Sequence, residues 1–161
     1  MHPPLQFQRV RTAAALGAWL LAVSILPGDV WAQRISVTVA PQSVTFPSSD
    51  PDLVPVIDAP PMQATVKVAG QAAPWTMTVL ALGDLTAGAA RIDISNISWV
   101  GSPSTLFRSG TLTKGVAQTV ASGTGRLTPP ETGLLTFRFK NSWTYSTGTY
   151  SQSVLFTVTQ P

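Results

Sequence analysis

An all-β domain of stacked antiparallel sheets is what this sequence predicts, and three observations predict it. Nearly every stretch after Gln33 alternates apolar and polar residues with period two, and each run ends at Gly, Pro, Ser or Asn. Those runs are rich in Val, Ile, Thr and aromatic residues, the composition of a half-buried pleated strand. No window beyond Gln33 carries the apolar stripe, with its period of roughly 3.6 residues, that marks an amphipathic helix.

The residues ahead of that pattern read as an address. Met1 to Thr12 carries Arg9 and Arg11 and no acid, and an apolar run from Ala13 to Leu26 follows, broken by Pro27-Gly28. The segment closes on Val30-Trp31-Ala32, with small residues at −3 and −1 as a signal peptidase requires. A membrane span needs about 20 apolar residues, and Pro27-Gly28 stops this run short. The expectation is a helical signal peptide over 1–32, cleaved after Ala32. One domain would remain over 33–161, 129 of the 161 residues, with no membrane insertion after cleavage.

The strands follow in order. In Arg34–Ala40, Ile35, Val37 and Val39 share one face, with Ser36 and Thr38 on the other. Ala64–Val68 repeats the pattern, and Trp75–Val79 places Trp75, Met77 and Val79 together. Ile92 and Ile94 lie on the even face, but Ile97 and Trp99 lie on the odd one. A one-residue slip turns every side chain over, so a bulge or a break into two short strands is expected near Asn96. The alternative is an exposed Ile97. Thr111–Thr113 and Ala117–Val120 read as a hairpin turning at Lys114-Gly115. Leu135, Phe137 and Phe139 are inward candidates on the next strand, and Tyr150, Val154, Phe156 and Val158 on the last.

Between the strands, Phe46–Pro61 holds five prolines and is expected to be a long irregular excursion with at most a short edge strand. Gly83–Gly88, Gly101–Ser104 and Leu127–Gly133 read as loops. About seven to nine strands at this spacing favour two packed sheets over a closed barrel. The expected fold is therefore all-β, an Ig-like Greek-key β-sandwich.

Composition narrows the chemistry. The chain has no cysteine, and its one histidine, His2, lies in the signal segment. The exported part thus has no Ser-His-Asp triad, no thiol nucleophile and no histidine or thiolate metal site. Eight basic and six acidic side chains follow Ala32, scattered singly. No clustered basic face points to nucleic acid. Asp50, Asp52 and Asp58 crowd one loop and Asp84 another, without the spacing or glycine of a calcium loop. Asp84, Asp93 and Glu131 are the acids a glycosidase pair would draw on, but Asp93 alternates outward from Ile92 and Ile94. No cofactor, no metal and no enzymatic activity are expected.

Two features remain. Gly148-Thr-Tyr150 has the G-x-Y form of a tyrosine corner, whose phenol bonds back to nearby backbone; the alternative is a plain turn with Tyr150 as the strand's first core residue. Trp75 and Trp99 share faces with Met77, Val79 and Ile97 and belong to the core. Trp143 continues the face of Phe137 and Phe139 into the polar stretch Asn141–Tyr145, which places it at the rim. Trp143 and Tyr145 are the candidate ligand contacts.

Pro74-Trp-Thr-Met-Thr-Val79, Ile92–Trp99, Gly133–Phe139 and the closing Gly148–Thr159 together resemble secreted bacterial surface β-sandwiches of the fimbrial-subunit and WxL types. Trp75-Thr-Met77 is a loose form of one Trp-x-Leu motif, and Phe156-Thr-Val158 stands in place of the other. The resemblance implies a surface or fimbria-like subunit. The expected role is a non-catalytic structural or interaction module, exported and then secreted, periplasmic or held at the cell surface. Its expected partner is protein, through self-association or another envelope protein, with Ile35, Val37 and Val39 of the first strand as edge contacts. The alternative is a soluble module that binds carbohydrate or cell wall through Trp143 and Tyr145.

Overall fold

The computed structural model describes residues 34–69 and 73–160, and every element in them but one is a strand. The first six strands are β1 (Arg34–Ala40), β2 (Val56–Asp58), β3 (Met62–Ala69), β4 (Pro74–Ala81), β5 (Leu85–Ala87) and β6 (Ala90–Ile92). A 3-10 turn, Ile94–Asn96, separates them from β7 (Ile97–Ser102), β8 (Gly110–Thr111), β9 (Ala117–Thr124), β10 (Leu127–Lys140) and β11 (Val154–Thr159). Residues 1–32, where a signal peptide is expected, lie outside the described residues.

The larger sheet runs β1-β3-β10-β7-β8, with β2 also on β10; the smaller runs β11-β4-β9, and β5 with β6 makes a separate hairpin. All named strand pairs are antiparallel. Alternation sends one face of each sheet inward. Val66 and Val68 of β3, Trp99 of β7 and Leu135 of β10 meet Trp75, Met77 and Val79 of β4 and Val120 and Ala121 of β9 in one apolar cluster. No polar or charged side chain is buried among the described residues. With no disulfide, this cluster carries the stability, at roughly 25 cal/mol for each Å² of apolar surface removed from water.

Glycines let three aromatic rings lie flat in that cluster. Trp75 stands opposite Gly123 across β4 and β9, and Trp99 opposite Gly110 across β7 and β8. A Cβ on Gly123 would come within 2.8 Å of the Trp75 ring, and one on Gly110 within 2.5 Å of the Trp99 ring. A Cβ on Gly133 of β10 would come within 2.2 Å of the Phe107 ring. Only a residue without a side chain leaves room for a ring against the strand there. The two indoles differ in one respect. Trp99 Nε1 donates to the Arg108 carbonyl at 2.8 Å, whereas buried Trp75 Nε1 has no partner among the described residues.

The break expected near Asn96 is present. The Asp93 carboxylate accepts from Ser95 N at 2.8 Å and caps the 3-10 turn, so Ile92, Ile94, Ile97 and Trp99 are all buried. The turn takes up the slip, and Ile97 is not exposed. A second slip lies between β4 and β9, where adjacent Val120 and Ala121 both point inward.

Five readings are corrected. The described residues form eleven strands rather than seven to nine, because the two- and three-residue strands β2, β5, β6 and β8 add to the long ones. Gly101 and Ser102 end β7, so only the rest of Gly101–Ser104 is loop. Thr111–Thr113 and Ala117–Val120 do not pair as a hairpin of one sheet. A turn forms at Lys114-Gly115, with Gly115 at φ 69° and Thr113 bridged to Val116, but β8 pairs with β7 and β9 with β4. The chain crosses between sheets at that point. Leu127–Gly133 is not a loop but the first half of the 14-residue β10. Its Thr128-Pro129-Pro130 falls where the register steps from Leu127 opposite Val68 to Glu131 opposite Val66, so the missing N–H groups cost no ladder bond. Gly83–Gly88 is not wholly loop, since Leu85–Ala87 is β5, paired with β6 around Gly88 at φ 59°.

The proline-rich excursion contains a single short strand, β2. Ala59 N donates to Phe137 O at 2.8 Å, so β2, Ala59 and β3 run along β10 as one line interrupted at Pro60-Pro61.

Candidate functional site

The last β10 residue, Lys140, hands over to Asn141, which ties two long loops together. Asn141 Nδ2 donates to the Ser49 carbonyl at 2.9 Å and the Val54 carbonyl at 3.2 Å, and Asn141 N donates to Pro55 O at 2.9 Å. The next residues fold on their own polar side chains. Thr144 N donates to Ser142 Oγ at 3.2 Å, and Ser142 N to Asn141 Oδ1 at 3.1 Å. Such side-chain turns compete with strand pairing, so β10 stops here and Trp143 is left at the tip, 66% exposed.

Tyr145 turns back onto the sheet. Its ring packs on Phe139 with centroids 5.5 Å apart, and Phe139 packs on Phe46 at 5.8 Å. Partial burial, with the Asp93 carboxylate nearby, raises the Tyr145 phenol above its ordinary value. Tyr150 OH donates to the Ser146 carbonyl at 2.9 Å, four residues back, which is the bond of a tyrosine corner. Tyr150 therefore ends the loop rather than opening β11, which starts at Val154. Two backbone bonds of 3.1 Å join Ser151 to Thr86, and Gln152 Nε2 donates to the Asp84 carbonyl at 2.9 Å.

Between loop 42–51 and loop 141–153 these contacts leave a groove of about 980 Å³. Phe46, Phe139, Trp143 and Tyr145 line it, with hydroxyls and amides around them, and core side chains such as Ile57, Met62 and Phe137 at its base. No Asp, Glu, Lys or Arg is among its lining residues. The groove offers ring faces and neutral hydrogen-bonding groups but no ionised side chain. It suits an uncharged ligand, and the phenols of Tyr145 and Tyr150 are the titratable groups in its lining. Trp143 and Tyr145 both line it in unlike ways, one projecting from the rim and the other stacked on Phe139. Sequence reading placed Phe139 in the core and gave Phe46 no role. Phe46 is a lone aromatic in a proline-rich stretch, where no alternation assigns it a face.

Four of the acids, Asp50, Asp58, Asp84 and Asp93, bond locally. Asp50 Oδ1 accepts from Asp52 N at 2.9 Å, Asp58 pairs with Arg138 at 3.2 Å, and Asp84 pairs with Lys114 at 2.8 Å. The hydrogen bond from Lys114 holds the Asp84 carboxyl below its ordinary value, with help from Ile94 N–H and against partial desolvation. Asp93 is lowered mainly by the Ser95 backbone N–H. No group of three acids converges among the described residues.

The second candidate region is the outer edge of β1. This strand pairs with β3 along its whole length, Arg34 opposite Ala69 through Ala40 opposite Gln63. Among the described residues no strand pairs with its other side. Ile35, Val37 and Val39 point inward and are half-buried against the core, while Ser36 and Thr38 are exposed. A partner at this edge would meet backbone N–H and C=O groups together with Ser36 and Thr38.

Set against known proteins, the chain matches no family model, no curated protein and no solved structure.

Proposed function

We propose that this chain is a non-catalytic exported interaction module: an Ig-like Greek-key β-sandwich that leaves the cell behind a cleaved signal, 1–32, and serves as a cell-surface or fimbria-like subunit. The observation that supports this reading is β1, a seven-residue edge whose outer backbone groups are unpaired among the described residues. Unpaired edges accept strands from other chains, and proteins that must stay apart block them with charge, proline or a bulge. From Ile35 to Ala40 this edge has no charged residue and no proline. Native mass spectrometry of the chain recovered from envelope and medium tests the reading. Discrete multimers, or complexes with another envelope protein, of chains starting at Gln33 support it. A chain that stays a strict monomer without partners refutes it.

The uncharged groove favours a second reading, a carbohydrate- or cell-wall-binding module using Trp143 and Tyr145. Aromatic faces bordered by hydroxyls and amides match the apolar ring faces and hydroxyl edges of a sugar. Under this reading Trp143→Ala abolishes retention on neutral glycan or cell wall and leaves the thermal midpoint unchanged, because the side chain is two-thirds exposed. Retention undiminished in that variant removes the reading.

A further inference from the structure

We infer that the partner of the β1 edge is a second copy of this chain, docked about a two-fold axis with β1 antiparallel to its own copy and β11 brought alongside as a second rail. The inference rests on the interaction-module reading and goes beyond it by naming the occupant and its geometry. It starts from a comparison of the sheet edges. β8 has only two residues. The outer side of β9 is taken, since Arg108 N donates to Val120 O at 2.7 Å and Phe107 is bridged to Ala121. β2 has three residues and carries the ion pair of Asp58 with Arg138. Two long edges remain, β1 at the end of the larger sheet and β11 at the end of the smaller, and they lie side by side.

Both edges share a composition found together nowhere else on the rim. Apart from Arg34 at its first position, β1 reads Ile-Ser-Val-Thr-Val-Ala, and β11 reads Val-Leu-Phe-Thr-Val-Thr; neither stretch holds a charge, a proline or a glycine. Charge decides the occupant. When a strand pairs antiparallel with its own copy, a charged side chain close to the two-fold is brought near its duplicate, and like charges at that spacing repel. A self-pairing edge therefore has to be uncharged along its middle, whereas an edge built for an unlike partner gains from carrying charge.

The pleat then fixes the register class. Residues that face each other across the two-fold must point to the same side of the sheet, so residue numbers of facing pairs sum to an even value. The register of fullest overlap centres on Val37, sets Ile35 against Val39 of the other copy and Ser36 against Thr38, and joins the two apolar faces into one. A single rail of seven residues is narrow. Two rails on the same flank widen the contact toward the roughly 1,200–2,000 Å² of a specific interface.

Thr38 is the residue to change, because it is exposed and stands opposite uncharged Thr65 on β3. Sedimentation equilibrium on the chain purified in its processed form reads the outcome, with circular dichroism to confirm folding. The unaltered chain is expected to dimerise. Thr38→Lys and Thr38→Glu should each weaken the dimer by on the order of tenfold, and an equimolar mixture of the two should recover it, since the two-fold sets residue 38 near its own duplicate. Leu155→Lys, on the exposed face of β11, should weaken it as well. Single variants that dissociate without recovery on mixing overturn self-pairing, because they place β1 against a different surface. Assembly indifferent to residue 38 overturns the pairing yet leaves an interaction module. A monomer at every concentration overturns the pairing, and without complexes to another envelope protein it removes the broader reading as well.

Discussion

On the flank built from β7, β8 and β9, the inward residues Phe107, Trp99, Leu112 and Ala121 are at most 2% exposed, whereas on the opposite flank Ile35, Val37, Val39, Val154, Phe156 and Val158 are all only half-buried. Both flanks close the same gap between two sheets. On the first, segment 107–108 lies along the β9 edge, and its Phe107 ring fills the space over Gly133. On the second, no strand among the described residues pairs with the outer side of β1 or β11, and the apolar rows stay partly wet. The difference teaches that burial here depends less on alternation, which is regular in β1 and β11 but broken in β9, than on whether a plug covers the edge. A plugged edge contributes stability, and an unplugged one is available for contact.

The plug is the point at which the comparison is easiest to break. Phe107→Ala should cost about 3–5 kcal/mol in a denaturant titration, the range for emptying a buried aromatic site. Gly133→Ala should destabilise too, because its Cβ would sit 2.2 Å from the ring and the strand or the ring would have to move. The double variant is the informative one. With the ring gone, the methyl added at position 133 enters the vacated space, so the double variant should be more stable than the two single costs predict, by roughly 0.5–3 kcal/mol. Strict additivity would mean that Phe107 does not fill the space over Gly133.

Val66 and Val37 sharpen the comparison on one ladder. They face each other across β3 and β1, and both point inward, but Val66 is fully buried and Val37 is half-buried. Val66→Ala should cost about 2–3 kcal/mol and Val37→Ala about half as much, in proportion to the apolar area each withdraws from water. Equal costs would show that something covers the β1 flank in solution. If the self-paired dimer forms, the Val37 cost should rise with protein concentration, because assembly then adds to the stability of the folded state.

These effects also mark how far the sequence could be read. Alternation placed β1, β3, β4 and β11, and the clash of parity between Ile92, Ile94 and Ile97, Trp99 located the break at the 3-10 turn, because parity is a local property of consecutive residues. Phe107 was not legible. It is a single aromatic between Leu106 and Arg108, in no alternating run, and its importance comes from glycines at 101 and 133 that only the fold brings to it. The crossing at Lys114-Gly115 was misread for a related reason, since turn chemistry specifies a reversal but not which sheet receives the chain. Pro129-Pro130 argued for a loop until the register step supplied a place where their missing donors are unneeded. The groove combined both cases. Trp143 at the rim could be placed from the change to polar residues after Lys140, but the packing of Tyr145 on Phe139 and of Phe139 on Phe46 joins residues from opposite ends of the chain.

The smallest expected effect concerns how the unplugged flank is held. Asp84 accepts from Lys114 Nζ through its carboxylate and from Gln152 through its backbone carbonyl, so one residue secures both the crossing between sheets and the segment that leads into β11. Its carboxyl is held below the ordinary value, first by the Lys114 hydrogen bond. A carboxyl lowered in the folded state stabilises the fold above the unfolded-state value of about 4, and that contribution is lost as pH falls through the folded-state value. Asp84→Asn keeps the backbone carbonyl for Gln152 and removes only the charge. The thermal midpoint of the variant should therefore lie slightly below that of the unaltered chain at pH 6. The gap should hold down to about pH 4, where unfolded carboxyls begin to take up protons, and then close as Asp84 itself is protonated. Asp93, lowered chiefly by the Ser95 N–H with Lys114 the smallest contributor, should behave in the same direction. Added salt separates the two, because it screens the Lys114 pair while barely touching a carboxylate bonded to a neutral N–H. The absence of any gap at Asp84, at every pH and salt concentration, would assign its role wholly to the backbone carbonyl that the variant retains, and the charge would then have no part in anchoring β11.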